Sequence, residues 1–331
     1  MTELAADGGG PPVAGARSPQ LDSHCRMVVK ALMKGWVVPF LGAGVNLCGR
    51  PDHSTWERGR YLPSGAELAE YLAAAYDYSD SDSADLARVS QYIAVMTGDG
   101  PLYRDLRDVF DNDYPPTALH HFLASLPEVL RRTGGGRFPL IVTTNYDDAL
   151  ESAFRAAGEA YDLVWYVAEG AARGRFVHAP PEGESRVIDR SNQYGDLELD
   201  ARTVILKIHG AVDRTDRMRD SYVVTEDDYI DYLTHEDVRN LIPITLVQKL
   251  QESHFLFLGY SMRDWNLRVI LRRIWHEQTL NWESWAVQRT PKEIERKFWG
   301  RHGVEILDVR LEEYVEGLRV ALHGCAPDPS R

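Results

Sequence analysis

Cysteine is scarce in this chain. The three present, Cys25, Cys48 and Cys325, are odd in number, and no two form a C-x-x-C pair. The pattern points to neither a disulfide framework nor a structural zinc ribbon. Long apolar runs are also missing: none approaches the ~18 residues that a membrane-spanning helix requires. The N-terminus lacks the charged-then-apolar pattern of a secretory signal, so the chain reads as cytoplasmic. Positive charge is in deficit, with 37 Lys and Arg against 50 Asp and Glu and a net charge of -13. Nonspecific nucleic-acid binding needs basic surface to neutralise phosphates and is not expected, although a local basic groove stays open. No internal repeat is visible.

What remains is an ordinary globular composition, 44% hydrophobic and 26% charged over 331 residues, with ample material for a core. Residues 1–20, centred on Gly8-Gly9-Gly10-Pro11-Pro12, cannot bury a face and read as a flexible tail; residues 326–331 read as a second. Between them, a helix over Leu21–Lys34 leads into an apolar strand, Trp36–Leu41. Residues 51–137 read as a helical insertion. It opens at Ser64-Gly65-Ala66-Glu67, a Ser cap with Glu three residues on, and continues through Leu86–Met96, Tyr103–Phe110 and Thr117–Leu126. A strand over Phe138–Val142 and a helix over Asp148–Ala157 follow. Residues 158–202 alternate short strand-like pieces with charged turns and read as an irregular insertion or lid. Beyond them come a strand at Thr203–Ile208, a helical stretch from Glu226 to Gln251, a strand at Phe255–Leu258 and a helix at Asp264–His276. Closing strands at Trp285–Val287 and Val304–Leu307 and a helix at Leu311–Leu322 complete the chain. Strands alternating with helices predict an α/β fold built on a doubly wound parallel sheet.

Four short segments sit at the ends of apolar strands: Phe40-Leu41-Gly42-Ala43-Gly44-Val45-Asn46, Thr143-Thr144-Asn145-Tyr146-Asp147, Lys207-Ile208-His209-Gly210 and Phe257-Leu258-Gly259-Tyr260-Ser261. Ligands of open α/β sheets bind at the carboxyl ends of the strands, so one crevice can collect all four. Gly42 and Gly44 allow a sharp turn and close backbone approach, and amides freed there suit a pyrophosphate. Without a full G-x-G-x-x-G, a plain strand-to-helix turn explains them equally well. Asn145 can bond ribose hydroxyls or a water. Taken alone, it is more simply the cap of a following helix. His209 has the titration range of a general base, and its place before a glycine at a strand end separates it from the other histidines. His120 and His121 read as core-edge or capping residues. Ser261 can reach a phosphate or ribose oxygen, whereas Asp264 reads as a helix cap.

Taken together, from about Val28 to Leu322, these segments resemble the sirtuin fold, and specifically the sirtuin-like domains of bacterial anti-phage defence proteins. Gly42-Ala43-Gly44 is similar to the family's first NAD-binding loop, with Asn46 where Ser is usual. Thr143-Thr144-Asn145-Tyr146-Asp147 resembles a variant of the T-Q-N-x-D motif, and His209-Gly210 the catalytic His-Gly pair. Phe257-Leu258-Gly259-Tyr260-Ser261 and Trp285-Ala286-Val287-Gln288 resemble the defence branch. The four-cysteine zinc module of the deacylating sirtuins is absent from the sequence. The resemblance implies a Rossmann-like sheet and an NAD glycohydrolase in which NAD is the substrate and no metal is required. Asn145 would orient a water or the ribose hydroxyls, and His209 would accept a proton. Gly42, Ala43, Gly44, Gly259 and Ser261 would hold the phosphates and adenosine ribose. Asp147 would sit near the nicotinamide amide, and Asn46 and Thr144 would complete the cofactor-binding set. It further implies control by a homo-oligomer or a separate partner, such as a HerA-type ring ATPase or a short argonaute-type protein. An NAD-dependent protein deacylase and a non-catalytic NAD or ADP-ribose sensor are the alternative readings.

Overall fold

The computed structural model describes residues 18–134, 137–234, 241–262, 268, 271 and 283–324. Helix α1 (Pro19–Met33) begins inside the expected tail. Ser18 caps it by accepting the Leu21 N–H at 3.2 Å, and Pro19 suits a first turn, where no amide partner is needed. The rest of the expected N-terminal tail, the C-terminal tail and most of the Asp264–His276 helix lie outside the described residues.

Strand β1 (Val37–Leu41) is buried along its whole length. Val38 and Phe40 enter one core while Val37 and Leu41 enter another, as a strand covered on both faces requires. Pro39 has no N–H for a ladder, and β1 meets β2 (Leu140–Thr143) only from Phe40 onward. Among the described residues the main sheet has nine strands, and a separate small sheet pairs β7 (Gly210–Ala211) with β8 (Ser221–Tyr222). The parallel part of the main sheet joins β1 and β2 to β3 (Tyr161–Val167), β6 (Thr203–Lys207), β9 (His254–Leu258), β10 (Ser284–Val287) and β11 (Val304–Leu307). The spatial order is β11-β10-β9-β1-β2-β6-β3, followed by the antiparallel β4 (Arg175–Ala179) and β5 (Arg186–Val187). The chain leaves β1 toward β2 on one side and returns as β9 on the other. This reversal opens a crevice at the carboxyl ends of β1 and β9.

One face of the sheet is covered by α1, α5 (Ala118–Thr133), α6 (Ala149–Ala157) and α10 (Leu311–His323). The other is covered by α7 (Glu226–Thr234), α8 (Ile244–Gln251) and α9 (Glu293–Gly300), through residues such as Tyr232, Leu246 and Trp299. Helices α2 (Gly65–Ala75), α3 (Leu86–Thr97) and α4 (Asp99–Phe110) build a third core around Leu72, Ile93 and Leu106, which also takes in Tyr146, Ala149 and Tyr222.

Four expectations change. Helix α5 packs on the sheet, so the helical insertion ends before it. Helix α4 begins at Asp99, four residues before Tyr103, because Gly98 at φ 85° turns the chain directly from α3 into α4. The helical stretch from Glu226 to Gln251 is interrupted at Ile242 and Pro243, with α7 and α8 on either side among the described residues. Residues 158–202 are more regular than expected: β3 lies beside β6 within the sheet and β4–β5 extend its edge. That edge is fastened by a buried network in which Asp162 meets His178 at 2.8 Å and Arg202 at 2.8 Å.

Candidate active site

The four strand-end segments are stitched together by backbone hydrogen bonds. Gly42 N–H donates to Leu258 O (3.0 Å), Gly44 N–H to Gly259 O (2.9 Å), Thr144 N–H to Leu41 O (3.1 Å) and Ile208 N–H to Thr143 O (3.0 Å). They frame a cleft of about 1550 Å³, larger than the roughly 300–1,000 Å³ of ordinary small-molecule sites. Ala43, Gly44, Asn46, Thr144, Asn145, Asp147, His209, Gly259 and Ser261 all line it. Gly42 alone of the expected set does not. None of residues 158–202 lines it either, whereas the helical insertion supplies Ser64–Leu68 and α7 supplies Glu226, Tyr229 and Ile230.

The two glycine turns need glycine for each other more than for a ligand. A Cβ on Gly44 would stand 2.6 Å from Gly259 O. A Cβ on Gly259, whose φ is +71°, would stand 2.3 Å from Val45 N. The expectation that this turn frees amides for a pyrophosphate is met only in part. A short 3-10 turn (Ala43–Leu47) does start there, but Gly44 N–H is bound to Gly259 O and Val45 N–H to Gly42 O.

Asn145 is not a helix cap, because α6 starts four residues later. Its N–H donates to Thr143 Oγ1 (3.0 Å) and its Nδ2 to Gly42 O (3.4 Å). The amide is thereby oriented with Oδ1 as acceptor, and that buried oxygen has no hydrogen-bond partner among the described residues. Asn46 behaves the same way: Nδ2 donates to Asp147 Oδ2 (3.1 Å) and Oδ1 is left unpartnered. Asp147 is thus already engaged, its other oxygen accepting the first amide of α6 from Ala149 (3.1 Å). Thr144 Oγ1 meets Tyr260 OH at 2.7 Å, tying the second segment to the fourth. Ser261 is exposed at the cleft wall.

His209 is 5% exposed and stands edge-on to Tyr229, with ring centroids 5.3 Å apart. Its buried Nε2 has no partner among the described residues. Burial pushes its pKa down to about 3, so the ring is neutral across the physiological range. Gly210 after it, at φ +92°, lets the chain pass Ser221, whose carbonyl a Cβ would meet at 2.1 Å. His120 is a capping residue, as expected: its Nδ1 accepts the Thr117 N–H (3.0 Å). Burial lowers its pKa to about 4, with the Asp147 charge opposing.

Sequence reasoning missed three contributors. Tyr229 walls His209 from α7. Arg50 pairs with Glu67 at 2.8 Å, building the insertion into the cleft wall. Lys207 is 1% exposed beneath the Asn145 segment. Only Lys207 carried a signal, as a lysine closing an otherwise apolar strand.

A family model described as SIR2-like domain matches residues 139–307. That stretch runs from β2 to β11 and holds Asn145, His209 and Gly259, but not the first glycine turn. An NAD(+) hydrolase ThsA from Enterococcus faecium is 28% identical over 74% of this chain and 41% of its own length. A second NAD(+) hydrolase ThsA, from Acinetobacter baumannii, is 25% identical over 75% of this chain and 41% of its own. Defense-associated sirtuin 2 from Bacillus subtilis is 22% identical over 85% of this chain and 24% of its own. The chain thus spans less than half the length of each of these relatives.

Proposed function

We propose that this chain, which belongs to the SIR2-like domain family, hydrolyses NAD at the bond between nicotinamide and ribose. One observation carries the reading. Asn145 Oδ1 and His209 Nε2, buried and without partners among the described residues, belong to side chains lining the same cleft. Native proteins leave few buried polar atoms unsatisfied, and a ligand that brings hydroxyls and a water answers both. The names of two relatives, both NAD(+) hydrolases, support the same substrate.

The chemistry follows from those two atoms. Breaking the glycosidic bond leaves positive charge on the ribose in an oxocarbenium-like transition state. The acceptor oxygen of Asn145 holds a ribose hydroxyl or the attacking water. Neutral His209 takes the proton from that hydroxyl or water as positive charge develops on the ribose. A histidine with a pKa of about 3 is a weak base, but the diphosphate of the bound substrate brings negative charge that favours the imidazolium. Water adds to the ribose carbon, nicotinamide leaves with the bonding pair, and the products are nicotinamide, ADP-ribose and a proton. A role in anti-phage defence, under control of self-assembly or of a separate partner, belongs to the same proposal. The name of the sirtuin relative supports the defence role alone.

Incubating the purified chain with NAD and following nicotinamide and ADP-ribose by mass spectrometry tests the reading. Turnover lost in both Asn145→Ala and His209→Ala is the expected result. Turnover that persists in both would place the chemistry elsewhere. Adding the neighbouring gene's product tests the dependence on a partner.

A further inference from the structure

We infer that Lys207 is a positioning residue for this site, its ammonium fixing the Asn145 segment in register with His209. The inference rests on the NAD-hydrolase reading and names a residue that the reading does not use. Lys207 is the last residue of β6, paired with Thr143 of β2 on one side and Trp165 of β3 on the other. Two residues later the same strand end delivers His209. The side chain turns under the neighbouring segment. Nζ donates to Glu151 Oε1 at 2.8 Å, to Tyr146 O at 3.3 Å and to Asp147 O.

An ammonium has three protons, and all three are placed. Only one serves the ion pair. The other two hold the carbonyls of the two residues directly after Asn145. Both partners are buried, Lys207 at 1% and Glu151 at 3% exposure. Burial raises the Glu151 pKa and the Lys207 charge opposes it. A buried ion pair is a poor source of stability, and an apolar pair of similar volume commonly does as well. What an apolar pair cannot do is grip two carbonyl oxygens. Tyr146 is held from further sides as well, since its carbonyl accepts the Val212 N–H (3.0 Å) and its hydroxyl donates to Val223 O (2.7 Å). Asp147 O has Lys207. Asp147 in turn orients Asn46 through its carboxylate, so loosening Lys207 loosens three residues of the cleft together.

Two variants separate holding the segment from holding the fold. Lys207→Met with Glu151→Leu removes both charges and keeps the volume. Glu151→Gln removes one charge and leaves Lys207 its carbonyls. In the double variant the melting midpoint is expected to fall only modestly, because the lost ion pair contributes little and one buried carbonyl, Asp147 O, loses its donor. Amides of residues 144–148 should exchange about tenfold faster while the sheet is unchanged. NAD turnover should lose roughly 100-fold in kcat with KM moving less than about threefold. Glu151→Gln should keep the exchange pattern and most of kcat. A folded double variant with wild-type exchange and wild-type kcat overturns the inference, as does loss of kcat in a folded Glu151→Gln. Should the double variant fail to fold, Glu151→Gln alone decides, kcat retained supporting the inference and kcat lost overturning it. If wild type releases no nicotinamide either alone or with the neighbouring gene's product, the NAD-hydrolase reading fails, and the exchange comparison still decides whether Lys207 sets the segment.

Discussion

Two buried histidines lie in the same sheet and live differently. His178, on the antiparallel edge, is 0% exposed and fully occupied: Nε2 meets Asp162 Oδ1 at 2.8 Å, Nδ1 meets Tyr194 OH at 2.7 Å, and Arg202 holds the other oxygen of Asp162. His209, at the carboxyl end of β6, is almost as buried, yet its Nε2 has no partner among the described residues and its ring lines a cleft. Burial of a titratable group is therefore not itself a mark of function. A satisfied network secures the fold, here the edge formed by β3 and β4. A buried atom left unanswered beside open space is where a ligand belongs.

The contrast can be sharpened by mutation. His178→Ala leaves Asp162 and Tyr194 short of a partner in the interior and should lower unfolding stability by about 2–3 kcal/mol. Turnover per folded molecule should be unchanged, and urea melts beside NAD assays check both halves. Gly44→Ala acts on the shape of the cleft without touching its unanswered atoms. The added Cβ, 2.6 Å from Gly259 O, should cost about 1–3 kcal/mol by overpacking. It should also weaken ADP-ribose binding, measurable by calorimetry, because the two turns are pushed apart.

The last effect is on the pH dependence of stability. His209 has a folded pKa of about 3 against an ordinary 6.5. Its contribution is complete above pH 6.5, where both states leave it neutral. It is lost as pH falls from 6.5 toward 3, because the unfolded chain takes a proton that the folded chain refuses. The slope from this residue is at most about 1.4 kcal/mol per pH unit. His209→Ala should flatten the acid limb of the stability curve, while the smaller share from His120, whose pKa lies near 4, persists.

Much of this was legible in the chain. Apolar runs ending in Gly42, Asn145, His209 and Gly259 placed four strand ends, and the sheet order brings them to one crevice. The Ser64 capping box formed as its spacing implied, with Ser64 N–H donating to Glu67 at 2.9 Å and Glu67 N–H to Ser64 Oγ at 3.2 Å. What the sequence hid was pairing across long separations. Residues 158–202 looked irregular because β4 and β5 are short edge strands, and nothing local shows that β3 inserts beside β6. Helix α5 has the same periodicity as α2–α4, and only its packing partners separate it from the insertion. The glycines were visible, but not that Gly44 and Gly259 need each other. Lys207 was visible as a residue, though its carbonyl acceptors lie 61 and 60 residues upstream along the chain, at Tyr146 and Asp147.

The most direct test compares the two histidines in one protein. His209→Ala and His178→Ala would be purified side by side, their melting midpoints measured, and nicotinamide release from NAD followed for each. The account predicts that His209→Ala releases none while staying folded, and that His178→Ala melts earlier but keeps its rate wherever it is folded. A folded His178→Ala without activity, or an active His209→Ala, would contradict it.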